Sequence, residues 1–333
     1  MNVIRIAGLL GLLWCVLLGA TAYVAAQDVY PSRPVRLIVT AAPGGVVDVT
    51  ARIISQQLTE QIGKQVLVEN RTGAGGIIGS GFVAKAAPDG YTLLMATPGF
   101  TILPILHKSL PYDPVKDFTA ITQITGATQV LIVSPQLKAS TLKEFIALAQ
   151  ANPRAYNYGS GGNGSPLHVY SELFSKAAKV SLVHVPFKGG GGESMTALMA
   201  GEIQMLFAAI PTAQQMIKAG RVRALAVTTD GKRLSSMPDV PAMSEAGLPG
   251  MTINAMYGLV GPAGLPRPVI TRLHGEVVKA LTVQTVKDRY AAQDAELIGS
   301  TPEEYAALIR NEVQRWAEVI KASGMTIESQ AGK

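Results

Sequence analysis

Hydrophobic and polar positions along the chain switch repeatedly between two periods. Short runs rich in β-branched and apolar residues, bounded by Gly, Pro and Asn, predict strands over residues 35–40, 65–69, 91–96, 129–134, 180–186, 203–209 and 222–228. The segments between them carry a helical period. Residues 46–62 place Val49, Ile53, Ile54, Leu58 and Ile62 close to a 3.6-residue repeat, and Gly63 ends the run. Further helices are expected over 77–86, from Leu142, over 167–174, 193–200 and 213–219. Thr141 and Glu144 form a capping box, with Pro153 just past that helix's end. The last helix opens at Thr301-Pro302-Glu303-Glu304, with an N-cap, a proline at N1 and an acid at N3, and runs to about Ala322. Strand and helix alternation of this kind predicts parallel sheets covered by helices.

Two glycine-rich turns stand out, each between a strand and a helix. The first is Ala41-Ala42-Pro43-Gly44-Gly45-Val46-Val47-Asp48, and the second is Gly159-Ser160-Gly161-Gly162-Asn163-Gly164-Ser165-Pro166. A helix N-terminus leaves its first N–H groups unpaired, and glycines let an anion approach them. Ligands of open α/β sheets sit in the strand-to-helix loops. Two such turns in separate domains would face each other across a cleft and grip a ligand with anionic ends. In the first turn, Asp48 either accepts hydrogen bonds within its own helix's first turn or orients water or a hydroxyl on the ligand, and Arg52 is spaced to pair with it. In the second, Ser160 reads as a turn hydroxyl, and His168 either caps and packs or touches the ligand. Lys188, in Pro186-Phe187-Lys188-Gly189-Gly190-Gly191-Gly192, is either a carboxylate partner at the cleft edge or a solvated lysine.

The first twenty-six residues change where this happens. Arg5 precedes an apolar run, 6–18, and small residues end in Val24-Ala25-Ala26 before Gln27-Asp28. These are the parts of a secretory signal peptide cleaved near Ala26. The single cysteine of the 333 residues, Cys15, lies in that run. The mature chain would therefore hold no disulfide and no metal–thiolate site. Loss of Arg5 lowers the formal net charge from +6 to +5, a mild bias that suits a small anion and falls short of a nucleic-acid footprint. The length that remains accommodates two domains.

Other chemistries fit less well. Gly73-Ala74-Gly75-Gly76-Ile77-Ile78 fails the dinucleotide fingerprint at its last position, and no P-loop exists. The histidines, His107, His168, His184 and His274, have no paired spacing for zinc. Ser160 does not lie in a G-x-S-x-G elbow. Neither a cofactor nor catalysis is expected.

An ordered set of motifs carries a resemblance over essentially the whole mature chain. Pro43-Gly44-Gly45-x-x-Asp48-x-x-x-Arg52, Val68-Glu69-Asn70-Arg71-x-Gly73-Ala74-Gly75-Gly76 and Ala87-Pro88-Asp89-Gly90-Tyr91-Thr92 come first. Leu110-Pro111-Tyr112-Asp113-Pro114, Asp117-Phe118, Ser160-x-Gly162-x-Gly164-Ser165-x-x-His168 and Pro186-Phe187-Lys188-Gly189 continue it. Met237-Pro238-Asp239-Val240-Pro241 and Glu245-Ala246-Gly247-Leu248-Pro249-Gly250 complete it. Together these resemble the extracytoplasmic receptors of tripartite tricarboxylate transporters, the Bug receptors.

The resemblance implies a type II periplasmic-binding-protein fold, α/β, with two α/β domains and a ligand cleft between them. Residues 27–126 and 254–333 would form domain 1 and residues 127–253 domain 2, with crossings near 125–128 and 253–257. It implies a monomeric, non-enzymatic periplasmic protein that passes a small carboxylate to membrane permease subunits. An orphan sensory receptor is the alternative, and an exported hydrolase a remoter one. Carried over, the ligand-binding residues are Pro43, Gly44, Gly45, Val47 and Asp48, facing Ser160, Gly161, Asn163, Gly164, Ser165 and His168. Lys188 and Gly189 lie nearby, and Thr97, Gly99 and Phe100 line the first-domain wall. Where many relatives carry an acid after Met205-Leu206-Phe207, Ala208 and Ala209 stand, which points away from an amino-acid ligand. Leu103 and Met256 replace an Asn and a Trp common in relatives. The cleft is thus expected to be more apolar and to admit an aromatic or branched carboxylate.

Overall fold

The computed structural model describes residues 30–323 except 108, 188–190 and 230. The predicted signal peptide therefore lies outside the described residues. By internal contacts the chain divides into Met1–Ser32 and Arg33–Lys333, and every element named below belongs to the second unit.

The first half of that unit is built on β1 (Val35–Val39), which pairs in parallel with β2 (Val66–Asn70) and β3 (Thr92–Ala96). Helix α1 (Val46–Ile62) joins β1 to β2, and its end is capped by Gly63 in the left-handed region, φ 70°, whose N–H reaches the Thr59 carbonyl. Helices α2 (Ile77–Ala84) and α3 (Pro98–Leu106) flank β3. Then comes β4 (Phe118–Val133), sixteen residues long. Helix α4 (Leu142–Ala151), β5 (Asn157–Ser160), α5 (Pro166–Ala177), β6 (Val183–Pro186), α6 (Gly191–Ala200), β7 (Met205–Ala209), α7 (Ile210–Lys218) and β8 (Arg223–Val227) make the second half. The chain returns through β9 (Asn254–Pro262), α8 (Arg267–Thr282), α9 (Gln284–Ala291), β10 (Ala295–Leu297) and α10 (Pro302–Ser323).

The sheet order is β2-β1-β3-β9-β4-β7-β5-β6, with β8 and β10 also on β4. It is mixed rather than parallel throughout. The difference has a local cause: β9 runs antiparallel to both β3 and β4, and β4 runs antiparallel to β7 and β8. The first part of β4 pairs with β9, from Phe118 opposite Pro262 to Thr128 opposite Asn254. Its last residues, 129–133, pair with β7. One long strand therefore serves both halves, and the two connections lie side by side at 125–128 and 254–257.

Strand periodicity sorts the second half's core. Leu131 and Val133 of β4 join Met205 and Phe207 of β7 on one face, with Phe145, Val169 and Phe174 from α4 and α5. Val130 and Ile132 join Leu206 and Ala208 on the other, with Leu198 and Ala213 from α6 and α7. The first half has its own core around Ile38, Leu94, Phe100 and Val260. Helix α10 contributes to two of these cores: Tyr305 and Ile309 pack in the first half, and Trp316 and Ile320 in the second. Its start is the expected capping box, with the Glu304 N–H donating to Thr301 Oγ1 at 3.2 Å and the Thr301 N–H to Glu304 Oε2 at 2.8 Å. Among the described residues no helix is long and apolar enough to cross a membrane.

Candidate functional site

A cleft of about 600 Å3 opens between the two halves. Five helices begin on it, each directly following a strand. Gly45, Val46 and Val47 start α1; Thr97, Pro98 and Gly99 start α3; Ser165, Pro166 and Leu167 start α5; Gly191 and Gly192 start α6; Ala208, Ala209 and Thr212 surround the start of α7. Helices α1, α3 and α7 have no side-chain cap, so their first N–H groups are left for a ligand or water. No Asp, Glu, Lys, Arg or His is among the described residues that line the cleft. Each helix end carries roughly half a positive charge. The cleft is thus electropositive through its backbone and favours an anion.

The first turn is held by Asp48, which is 2% exposed and does not line the cleft. Its Oδ2 accepts from the Gly44 N–H at 2.9 Å and from Arg52 Nε at 2.8 Å, and its Oδ1 accepts from Asn70 Nδ2 at 2.8 Å. Arg52, above all through its hydrogen bond, holds the carboxyl down at about 2 against burial, which pushes the other way. Of the two roles open to Asp48, these contacts describe the structural one: it ties the Pro43-Gly44-Gly45 turn to the end of β2. Gly44 sits at φ 82°, where a side chain would be strained.

The second turn is organised by stacked imidazoles. The Gly164 N–H donates to His168 Nδ1 at 3.0 Å, and the Ser165 hydroxyl caps α5 by accepting from the His168 N–H at 3.4 Å. Because Nδ1 accepts, the neutral His168 ring carries its proton on Nε2. His168 and His184 stack with ring centroids 3.8 Å apart, and Tyr158 stacks on His184 at 5.0 Å. Burial lowers both histidines to about 4, His168 also through its neighbour, so both rings are neutral at pH 7. His184 Nε2 lies 2.6 Å from Ser160 Oγ. This is the spacing of a nucleophile and its base, a pair the sequence does not reveal. Yet Ser160 is fully buried, and its hydroxyl is taken up by the Gly162 N–H and carbonyl. These contacts brace the turn.

The nominated residues separate by location. Pro43, Gly45, Val47, Thr97, Gly99, Gly161 and Ser165 line the cleft. Gly44, Asp48, Ser160, Gly164 and His168 shape the two turns from behind. Asn163 is exposed and outside the lining. Phe100 points instead into the first core, stacked on Tyr112 at 5.7 Å and edge-on to Phe118 at 4.8 Å. Lys188 and Gly189 lie outside the described residues. Leu103 and Met256 are buried away from the cleft, so its apolar character does not come from them. It comes from Val46, Pro166, Leu167, Leu206 and Phe207, together with Ala208 and Ala209.

Three lining groups escape a sequence reading: Gln129, Tyr170 and Tyr257, from β4, α5 and β9. Burial pushes the Tyr257 hydroxyl up to about 12 and that of Tyr170 well above its ordinary value, so both stay protonated donors. For the two strand residues the alternation of β4 against β9 is a hint: paired antiparallel residues share a face, and Ala127, opposite Ala255, puts Gln129 and Tyr257 on that side. Among the described residues there is no cluster of His, Cys, Asp and Glu that would hold a metal ion.

Comparison with known proteins agrees with this geometry. The tripartite tricarboxylate transporter family receptor profile matches residues 50–325. Protein BugT of Bordetella pertussis is 32% identical over 98% of this chain and 100% of its own. An R. palustris protein solved with adipate superposes with a TM-score of 0.82 at 30% identity, covering 89% of this chain and 99% of that one. MatC of Rhodopseudomonas palustris, solved with bound malate, gives 0.79 at 32% identity, covering 87% and 100%. The fold is accordingly that of the periplasmic binding proteins, two α/β halves around a cleft. The chain belongs to the tripartite tricarboxylate transporter receptor family.

Proposed function

We propose that this protein captures a small carboxylate in the cleft and delivers it to membrane permease subunits, with no catalytic step of its own. The observation that carries the reading is the convergence of five helix N-termini on a cleft lined, among the described residues, by no charged side chain. Such a site can attract and orient an anion, and among the described lining residues it offers hydroxyls and one amide but no carboxylate, amine or imidazole to transform it. The adipate and malate of the two solved relatives are carboxylates of the size such a cleft accepts. Residues 27–126 with 254–333, and residues 127–253, would move as two bodies about the paired segments near 125–128 and 253–257. Each body brings its own helix ends, so only the closed state collects both sets of contacts and the ligand shifts the population toward it. Micromolar affinity takes about 8 kcal/mol net, so charge-assisted hydrogen bonds of about 1.5–3 kcal/mol each must come from both sets of helix ends, with apolar burial, to offset the ordering cost as well. The protein would act as a periplasmic monomer released by cleavage near Ala26.

A thermal-shift screen of residues 27–333 against mono-, di- and tricarboxylates, amino acids and sugars tests the reading. A carboxylate at a hundredfold excess over its dissociation constant adds about 2.7 kcal/mol of stability. A shift from sugars or cations, with none from any acid, would overturn the assignment.

A further inference from the structure

Gln129 is the only side-chain amide among the described residues that line the cleft. It is 4% exposed and lines the cleft. Its backbone is pinned, the N–H donating to Thr228 Oγ1 at 2.9 Å and the carbonyl accepting from the Thr228 N–H at 2.8 Å. Its carboxamide, however, makes no hydrogen bond with any described residue. Other half-buried or buried amides are engaged: Asn70 by Ala41 and Asp48, Gln123 by the Thr125 carbonyl, Gln204 by Gly201 and Asn157. An amide that lines a ligand cleft and is not taken up by a described protein group is available to the ligand. Tyr170 and Tyr257, 2% and 8% exposed, line the same cleft.

Resting on the carboxylate reading above, we propose that Gln129, with Tyr170 and Tyr257, is a specificity subsite that reads a hydroxyl on the ligand's carbon skeleton, making the receptor selective for hydroxy acids over their deoxy parents. The chemistry of the groups selects the hydroxyl. A carboxylate only accepts hydrogen bonds and is served by the helix ends, whereas a carboxamide both donates and accepts, as a hydroxyl does. Set against Gln129, a carboxylate would leave Oε1 facing an anion. An ammonium finds no carboxylate on the described lining, where Ala208 and Ala209 stand. A methylene in the same place would leave the amide buried and unpaired, and that penalty discriminates against the deoxy acid. Gln129 is opposite Ala209 in the β4–β7 register, at the point where β4 leaves one sheet for the other. The subsite therefore sits between the two sets of helix ends.

Calorimetric titration with matched pairs tests this: succinate with malate, glutarate with 2-hydroxyglutarate, and phenylacetate with mandelate. The hydroxylated member of at least one pair should bind about ten- to a hundredfold tighter, the discrimination expected of one buried amide. In Gln129→Met, of similar shape, that ratio should fall to within about threefold while affinity for the deoxy acid is kept or improved. If the variant does not fold, the wild-type ratio alone decides. Binding of acids with no hydroxyl preference, or an unchanged ratio in Gln129→Met, overturns the subsite and leaves the carboxylate reading standing. No binding by any acid removes both.

Discussion

Replacing Asp48 by Asn should destabilise the protein by about 2 kcal/mol at pH 7, and the loss should fade in acid. The carboxyl titrates at about 2 instead of 3.8 because Arg52, the Gly44 N–H and Asn70 all favour its charged form. Since the folded value is the lower one, the contribution is present in full above pH 3.8 and is lost as the pH falls through about 2. A shift of that size corresponds to about 2.5 kcal/mol at neutral pH, roughly half of it by pH 3 and little by pH 2. A competing estimate treats the contact as an ordinary i,i+4 surface pair, since Arg52 is half exposed, and gives only about 0.3–0.5 kcal/mol. The larger figure should win because the acid end is 3% exposed and receives three donors at once. Urea unfolding followed by circular dichroism, on both proteins at pH 7, 5 and 3, reads the difference directly. Other carboxylates titrate in both proteins and cancel. A difference below about 0.5 kcal/mol, or one equal at pH 7 and pH 3, would refute the argument.

Three further outcomes are expected. Gly45→Val should leave the melting temperature nearly unchanged yet weaken carboxylate binding at least tenfold, because its φ is −74° and a Cβ there meets only the Ala42 carbonyl at 3.5 Å, while the added methyls cover the start of α1; Gly44→Ala, at φ 82°, should instead cost about 1 kcal/mol of stability. His168 and His184 have folded values of about 4 below their ordinary 6.5, so the unfolded chain binds protons first: thermal melts should show stability falling from pH 6.5 to about 4 and levelling below it, with a smaller fall in His184→Gln. Thr301→Ala should remove the cap of α10 and about 1 kcal/mol, measured by urea unfolding.

Where one residue's neighbours in sequence decide its structure, the chain was readable. Helix α1 falls where its apolar period and Gly63 put it, at 46–62, and the Thr301 cap is made as its spacing implied. Helix α3 has no such signal. Its residues, PGFTILPIL, are apolar on every side because Phe100 feeds the first core while Ile102 and Leu106 feed the second, and Pro104 interrupts it. The first part of β4 was missed for a related reason: buried almost throughout, it alternates too weakly to be told from a loop. At the site, the two glycine turns could be found because backbone geometry is written locally in Gly and Pro. The Ser160–His184 contact could not, since it depends on β5 and β6 pairing, which places Tyr158 opposite His184. Nor could the floor of Gln129, Tyr170 and Tyr257, which three distant elements bring together. Phe100 shows the opposite error: adjacent to cleft residues in sequence, it turns inward because the helix rotates it about 100° from Gly99.

The central claim is that backbone N–H groups at helix ends, rather than a charged side chain, hold a carboxylate. The most direct measurement is a calorimetric titration of the protein with the acid that gives the largest thermal shift and with the primary amide of that same acid. If helix ends hold the carboxylate, the acid binds saturably and the uncharged amide at least a hundredfold more weakly. Equal affinity for acid and amide would contradict it.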